Sequence, residues 1–174
     1  METDLRYPIG KNVTAKNPSE AQRREFIEAL AETPARLAAA VAGLTPAQLD
    51  TPYRPGGWNV RQVVHHLADS HMNGIVRFKL ALTEDDPTVK LYDEARWAEL
   101  PDAKAAIEPS LALLRNLHTR WDILLRALTS ADFARKLTHP EIGRISLDDY
   151  LQEYAWHGRH HVAHIVRLRE RNGW

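Results

Sequence analysis

Seven of the nine histidines in this chain fall in two short segments, His65, His66 and His71 in the first and His157, His160, His161 and His164 in the second. Each segment also carries apolar residues at the three- and four-residue spacing of a helix that faces a core. Imidazoles four positions apart stand one above the other on the same helix face. Any fold open to the chain must therefore bury two helices whose inner faces carry nitrogen ligands, and it must find partners for those nitrogens.

The rest of the chain reads as helices joined by loops. A first helix starts at Asn17-Pro18-Ser19-Glu20, with Phe26, Leu30, Leu37, Val41 and Leu44 recurring at helical spacing and Pro34 predicting a kink. Thr45-Pro46-Ala47-Gln48 reads as a capping box for a short turn that ends in a loop from Thr51 to Gly57. Asn59, with Gln62 three residues on, opens a second long helix that runs to about Thr83 on Val60, Val63, Val64, Leu67, Ile75 and Phe78. From Glu84 to Pro101 the pattern is irregular, with one helical turn predicted around Ala95 to Leu100. A third helix begins at about Pro109 on the stripe Leu111, Leu114, His118, Trp121, Leu125 and Leu128. Thr129 to Ile145 breaks the period, and Thr138 to Gly143 reads as a turn between two very short strands. Ser146 with Asp149 caps the last helix, which Asn172-Gly173 ends. Four long amphipathic helices in 174 residues predict an all-α four-helix bundle with long connecting loops, folded as one domain over 1–174.

Composition removes several functions. Lys plus Arg equal Asp plus Glu at 23 each, so no net field draws in nucleic acid or an anionic membrane. No cysteine is present, which excludes disulfides, thiolate ligation and a cysteine nucleophile. No apolar run approaches the roughly 18 residues of a membrane span, and Met1 to Gly10 holds no signal-like core, so a cytoplasmic location is expected.

Phase selects among the histidines. His161 shares the stripe Leu147, Leu151, Tyr154, Ile165 and Leu168, with His157 one turn before it, whereas His160 and His164 continue toward Glu153 and Arg167, a wetter side. On the second helix His66 borders the apolar stripe through Leu67, His65 points with Arg61 and Gln62 toward polar surface, and His71 is the reserve. A metal site of His66, His157 and His161 follows, since bundle cores bind metals through side chains from facing helices. Three neutral imidazoles leave a divalent ion an open position, the arrangement of a catalytic site. Imidazole suits several metals, and availability favours zinc. Asp69, one turn after His66, and Glu153, one turn before His157, are the candidate proton acceptors or ligand orienters. His118 reads as a core histidine, His139 as a turn residue, and Arg159, Arg167, Arg169 and Arg171 as a solvated basic helix end.

The chain resembles the DinB-like superfamily of metal-binding four-helix bundles, in particular its YfiT branch. The likeness is carried by Tyr7-Pro8-Ile9-Gly10, Thr51-Pro52-Tyr53-Arg54, Gly57-Trp58-Asn59-Val60-Arg61-Gln62 and on through His65-His66-Leu67-Ala68-Asp69-Ser70-His71-Met72-Asn73, Arg77-Phe78-Lys79, Trp156-His157, His161-Val162-Ala163-His164-Ile165 and Gly173-Trp174. The resemblance implies ligands at His66, His157 and His161, zinc or nickel in the site, a homodimer, and metal-dependent hydrolysis of a small-molecule substrate. It also implies two alternatives, transfer of a low-molecular-weight thiol such as bacillithiol to an electrophile by the same ion, or metal binding without catalysis. Where more distant members of the superfamily often continue the last histidine as His-Arg-Gly-Gln, this chain reads His161-Val162-Ala163-His164, in keeping with the YfiT branch.

Overall fold

A computed structural model describes residues 4–174. The helices are α1 (Glu20–Ala31), α2 (Thr33–Val41), α3 (Pro46–Leu49), α4 (Val60–Thr83), α5 (Glu94–Trp97), α6 (Glu108–Ala127), α7 (Ser130–Phe133) and α8 (Leu147–Asn172), with a 3-10 turn over Pro101–Lys104. Strands β1 (Lys136–His139) and β2 (Gly143–Ser146) pair antiparallel, Lys136 opposite Ser146 and His139 opposite Gly143. Most helix starts use one local device, a side-chain oxygen closing on the amide three residues later while the third side chain returns the bond. Ser19 with Gln22, Thr45 with Gln48, Asn59 with Gln62, Thr129 with Asp132 and Ser146 with Asp149 all do this. At the far end Gly173 closes α8 at φ 67°, the left-handed conformation that glycine adopts without penalty.

Four helical columns make the bundle: α1 continued by α2, then α4, α6 and α8. The α1–α2 column packs on α6 and α8, and α4 packs on the same two helices from the opposite corner. Proline at 34 does more than bend the first column. It stops α1 at Ala31, and α2 restarts at Thr33 with the proline in its first turn, where a missing N–H costs nothing.

The apolar interior lies in two blocks. One gathers Ile27, Leu30, Ile75, Phe78, Trp121, Leu125, Leu151 and Tyr154, and the other Leu37, Val63, Val64, Leu67, Leu114, Ile165 and Leu168. The boundary falls at one level on every column, and buried polar side chains fill it: Thr33, His71, His118 and His161, each no more than 8% exposed. Two glycines let the helices close there. A Cβ on Gly158 would stand 2.7 Å from Thr33 Cγ2, and one on Gly74 would stand 2.6 Å from Tyr154 Cζ and 2.7 Å from Trp121 Cη2.

Loops and termini hold the bundle from outside. Arg23 on α1 forks onto Asp148 of α8 at 2.7 and 2.9 Å, with both side chains largely buried. Arg169 donates to the carbonyls of Ala40 and Ala42 at the end of α2, and Arg171 to that of Tyr53. The basic end of α8 is thus not merely a solvated face, because two of its guanidiniums satisfy carbonyls that a helix end and a loop leave open. The amino-terminal segment runs back along α8: Ala15 pairs with Gln152 in both directions, Asn12 donates to Glu153, the Trp156 indole donates to the Gly10 carbonyl, and His164 reaches the Arg6 carbonyl.

Because Gly158 sits against the buried Thr33 methyl, Gly158→Ala should destabilise the protein by about 1–3 kcal/mol through overpacking. Thermal unfolding would show it as a fall of roughly 2–4 °C per kcal/mol in a chain of this size. Thr33→Ala in the same chain should restore most of the loss, and an additive double variant would contradict the contact.

Candidate metal centre

His66 on α4 and His157 and His161 on α8 bring one ligand atom each to within 4.8 Å of the others. Nε2 of His66 lies 3.2 Å from Nε2 of His157. Nitrogens held about 2.0–2.1 Å from a tetrahedral zinc lie roughly 3.3 Å apart, so this pair already spans one edge of such a site. His66 and His161 are buried, and His157 keeps one edge open to a cleft of about 360 Å³. Tyr53, Arg54, Trp58, Trp156 and Glu94 join the histidines in its walls, and the Trp58 ring lies 4.6 Å from that of His66.

Burial favours neutral imidazoles here. It pushes His66 down to about 4 from the ordinary 6.5. It also holds His157 and His161 well below that value, with the charge of neighbouring imidazoles adding to the effect. Neutral rings are the form a metal ligand needs, so the donor set fits a divalent ion in chemistry as well as in spacing.

Behind His157 the polar layer continues through the whole bundle. Nδ1 of His157 lies 3.2 Å from Nε2 of His71, Nδ1 of His71 lies 2.8 Å from Nε2 of His118, and Nδ1 of His118 lies 2.9 Å from the carbonyl oxygen of Leu30. In a continuous helix the Leu30 carbonyl would accept from the amide at position 34, but that residue is proline and has no N–H. The break in the first column therefore leaves an acceptor facing the core, and His118 from α6 fills it. His71, a reserve ligand on sequence grounds, stands behind His157 instead, and His118 is a core histidine with both nitrogens engaged.

His65 is buried, not on polar surface: its Nδ1 meets the Ser110 hydroxyl at 2.7 Å and its Nε2 the Ala105 carbonyl at 3.3 Å. His160 and His164 are also buried, because the amino-terminal segment and Tyr53 cover them. His160 stacks on Trp156 at 4.3 Å and His164 on Tyr53 at 4.0 Å. Glu153 accepts from Asn12 at 2.7 Å and lies outside the walls of the cleft. Asp69 is likewise outside those walls, half-buried, and burial aided by the charge of Asp102 pushes its carboxyl from 3.8 up to about 6. Glu94, which the sequence did not single out, is the carboxylate that does line the cleft. Burial first, then Glu141 and Asp93, push its carboxyl above the ordinary value. Its only local signal was the Asp93 cap that starts α5.

Residues 29–165 match the family model of the DinB superfamily. This chain belongs to that superfamily. As a member it is 52% identical to "Putative metal-dependent hydrolase YfiT" of Bacillus subtilis (strain 168), over 98% of this chain and 97% of that protein. A "Putative metal-dependent hydrolase" of Bacillus mycoides (strain KBAB4) is also 52% identical, over 98% of this chain and 99% of the relative. The solved structure of YfiT, described as "a probable metal-dependent hydrolase with an unusual four-helix bundle topology", superposes with a TM-score of 0.95 over 98% of each chain. At 22% identity, TT2238, a four-helix bundle protein, matches with a TM-score of 0.56 over 80% of this chain and 94% of its own, a likeness of fold alone. The all-α four-helix bundle is thus shown, with one two-stranded hairpin added. No helix among the described residues is long and apolar enough to cross a membrane.

The same burial makes the metal-free protein sensitive to acid. All nine imidazoles are held below their ordinary value, burial being the first cause in each. As pH falls through about 6.5, the unfolded chain takes up protons that the folded chain refuses, so stability rises with pH across that window and is lost on acidification. Asp69 and Glu94 act the other way, since a raised carboxyl costs stability as pH rises, but they are two groups against nine. Urea unfolding of chelator-treated protein should give a clearly lower midpoint at pH 5.5 than at pH 7.5. A flat profile would contradict the burial of the histidines as neutral rings.

Proposed function

We propose that this protein is a metal-dependent hydrolase acting on a small-molecule substrate, with one divalent ion, zinc before nickel, held by His66, His157 and His161. The observation that carries the reading is the spacing and neutrality of three imidazole nitrogens from two helices at the floor of an open cleft. A divalent ion bound there supplies Lewis acidity, which brings the ionisation of water toward neutral pH.

The chain's own residues supply position and proton handling. Trp58 and Tyr53 wall the cleft with aromatic surface, which orients a substrate by exclusion of water more than by specific bonds. Glu94 reaches the same cleft with a raised carboxyl, so it holds a proton closer to neutral pH than an exposed glutamate does and suits proton transfer at the cleft mouth. Glu153, paired with Asn12, holds the amino-terminal segment in this reading, and Asp69 lies outside the cleft walls. The names of the Bacillus relatives support hydrolysis over the alternatives.

Metal content of tag-free protein checks the ligand set. Wild type should carry about one equivalent at neutral pH, His66→Ala, His157→Ala and His161→Ala should each lose most of it, and equal loading in all four would remove the site. Loaded protein is then given a panel of ester, amide and lactone substrates, and separately a low-molecular-weight thiol with an electrophile. Turnover of the first panel without added thiol supports hydrolysis. Conjugates formed only in the second panel identify a thiol transferase, and tight metal uptake without turnover in either identifies a binding module. Glu94→Gln should lower turnover roughly 10²-fold or more if it transfers the proton, with metal content unchanged.

A further inference from the structure

We propose that His71 and His118 are positioning residues that fix the tautomer of His157, with the Leu30 carbonyl freed by Pro34 as the reference that sets the whole chain. The inference rests on the metal-site reading above and goes beyond it to two residues that do not line the cleft.

The Leu30 carbonyl is the one group in the series whose role cannot change. A carbonyl oxygen only accepts, so the 2.9 Å contact obliges Nδ1 of His118 to carry its proton. In a neutral ring Nε2 of His118 is then bare, and at 2.8 Å it can only accept, which obliges Nδ1 of His71 to carry a proton. Nε2 of His71 is bare in turn, and at 3.2 Å it obliges Nδ1 of His157 to carry a proton. Each step leaves one outcome. His157 therefore points a bare Nε2 at Nε2 of His66, 3.2 Å away, before any ion arrives. Full burial of His71 and near-full burial of His118 shield the chain from water, which would otherwise offer every nitrogen a substitute partner.

The other two ligands lack such a device. Nδ1 of His161 is buried without a hydrogen-bond partner among the described residues, and the bond formed by His66 is the one it makes to His157. Only one of the three rings is thus held in its ligating form by the protein. That ring is joined through His71, His118 and Leu30 to α4, α6 and α1, so its orientation registers how all four columns are packed.

The test begins on metal-free, full-length wild type labelled with 15N in its imidazoles, at pH 7.5. Long-range 1H–15N spectra, assigned through the backbone, should show His118, His71 and His157 all as Nδ1–H tautomers; an Nε2–H tautomer at His157 would overturn the proposal without any variant being made. Zinc affinity, measured by competition with a chromophoric chelator, gives the second readout. His71→Phe, which removes the acceptor, should weaken binding about 10–100-fold, the usual effect of losing a partner behind a ligand. His71→Gln, whose amide oxygen accepts in the same place, should stay within a few-fold of wild type. Equal affinity in His71→Phe and wild type would sink the idea, as would a Gln variant no better than Phe. In His118→Phe the His157 resonances should report a mixture of tautomers, and a His157 still wholly Nδ1–H would show that the Leu30 carbonyl sets nothing. Because tautomers are read without metal or substrate, a failure of hydrolysis leaves this measurement standing, and a failure here leaves the ligand set standing.

Discussion

Buried nitrogen has to be paired, and in this bundle that requirement fixes how the columns meet. An unpaired polar group in a low-dielectric core costs on the order of 1–3 kcal/mol, and the layer between the two apolar blocks holds His71, His118 and the inner edges of His157 and His161. Sliding any column by one residue would separate at least one of the pairs that now stand 2.8–3.2 Å apart. Leucine blocks tolerate such slippage because apolar contacts are not directional, whereas a ring nitrogen does not. The apolar blocks drive collapse, and the polar layer selects one alignment from those the blocks allow.

Proline 34 shows how a local rule acquires a distant use. Its ring splits the first column, and the acceptor thereby exposed is taken by an imidazole from another helix. A kink at this position was legible from the residue type alone. Its consequence was not, because the donor comes from 84 positions further along the chain, at His118, and reaches Leu30 only in the assembled bundle. The same division runs through the whole molecule. Helix starts were readable at Ser19, Asn59 and Ser146 because each cap is complete within four residues. The turn at α7 obeys the same rule through Thr129 and Asp132, yet it lay hidden in a stretch read only for its broken apolar period.

That His66, His157 and His161 converge was legible through helix phase, since His66 and His161 sit beside Leu67 and Ile165 on stripes that must face inward. Readings that placed His65, His160 and His164 toward water failed for one shared reason. A helix face polar by its neighbours can still be covered by a segment with no period of its own, here the loop at Ala105 over His65 and the amino-terminal segment over α8. Glu94 escaped for a related cause, because a residue in a four-residue helix within a long connection carries no sign of which cleft it reaches. Larger grooves lie elsewhere, one of about 640 Å³ around Arg23 and Phe133 and one of about 650 Å³ between α2 and α6. Neither gathers a set of ligands, so chemistry and not volume decides which hollow is the centre.

The amino-terminal segment along α8 has a bearing on the shape of the cleft. Underneath it lie His160 and His164, four apart like the ligand pair, each with a buried Nδ1 that has no partner among the described residues. Stacking on Trp156 and Tyr53 and the bond to the Arg6 carbonyl hold these two rings in place, and both share the walls of the cleft with His66, His157 and His161. The strap thus sets the form of one wall of the cleft, because rings that line it are held by contacts from a segment far away in the chain.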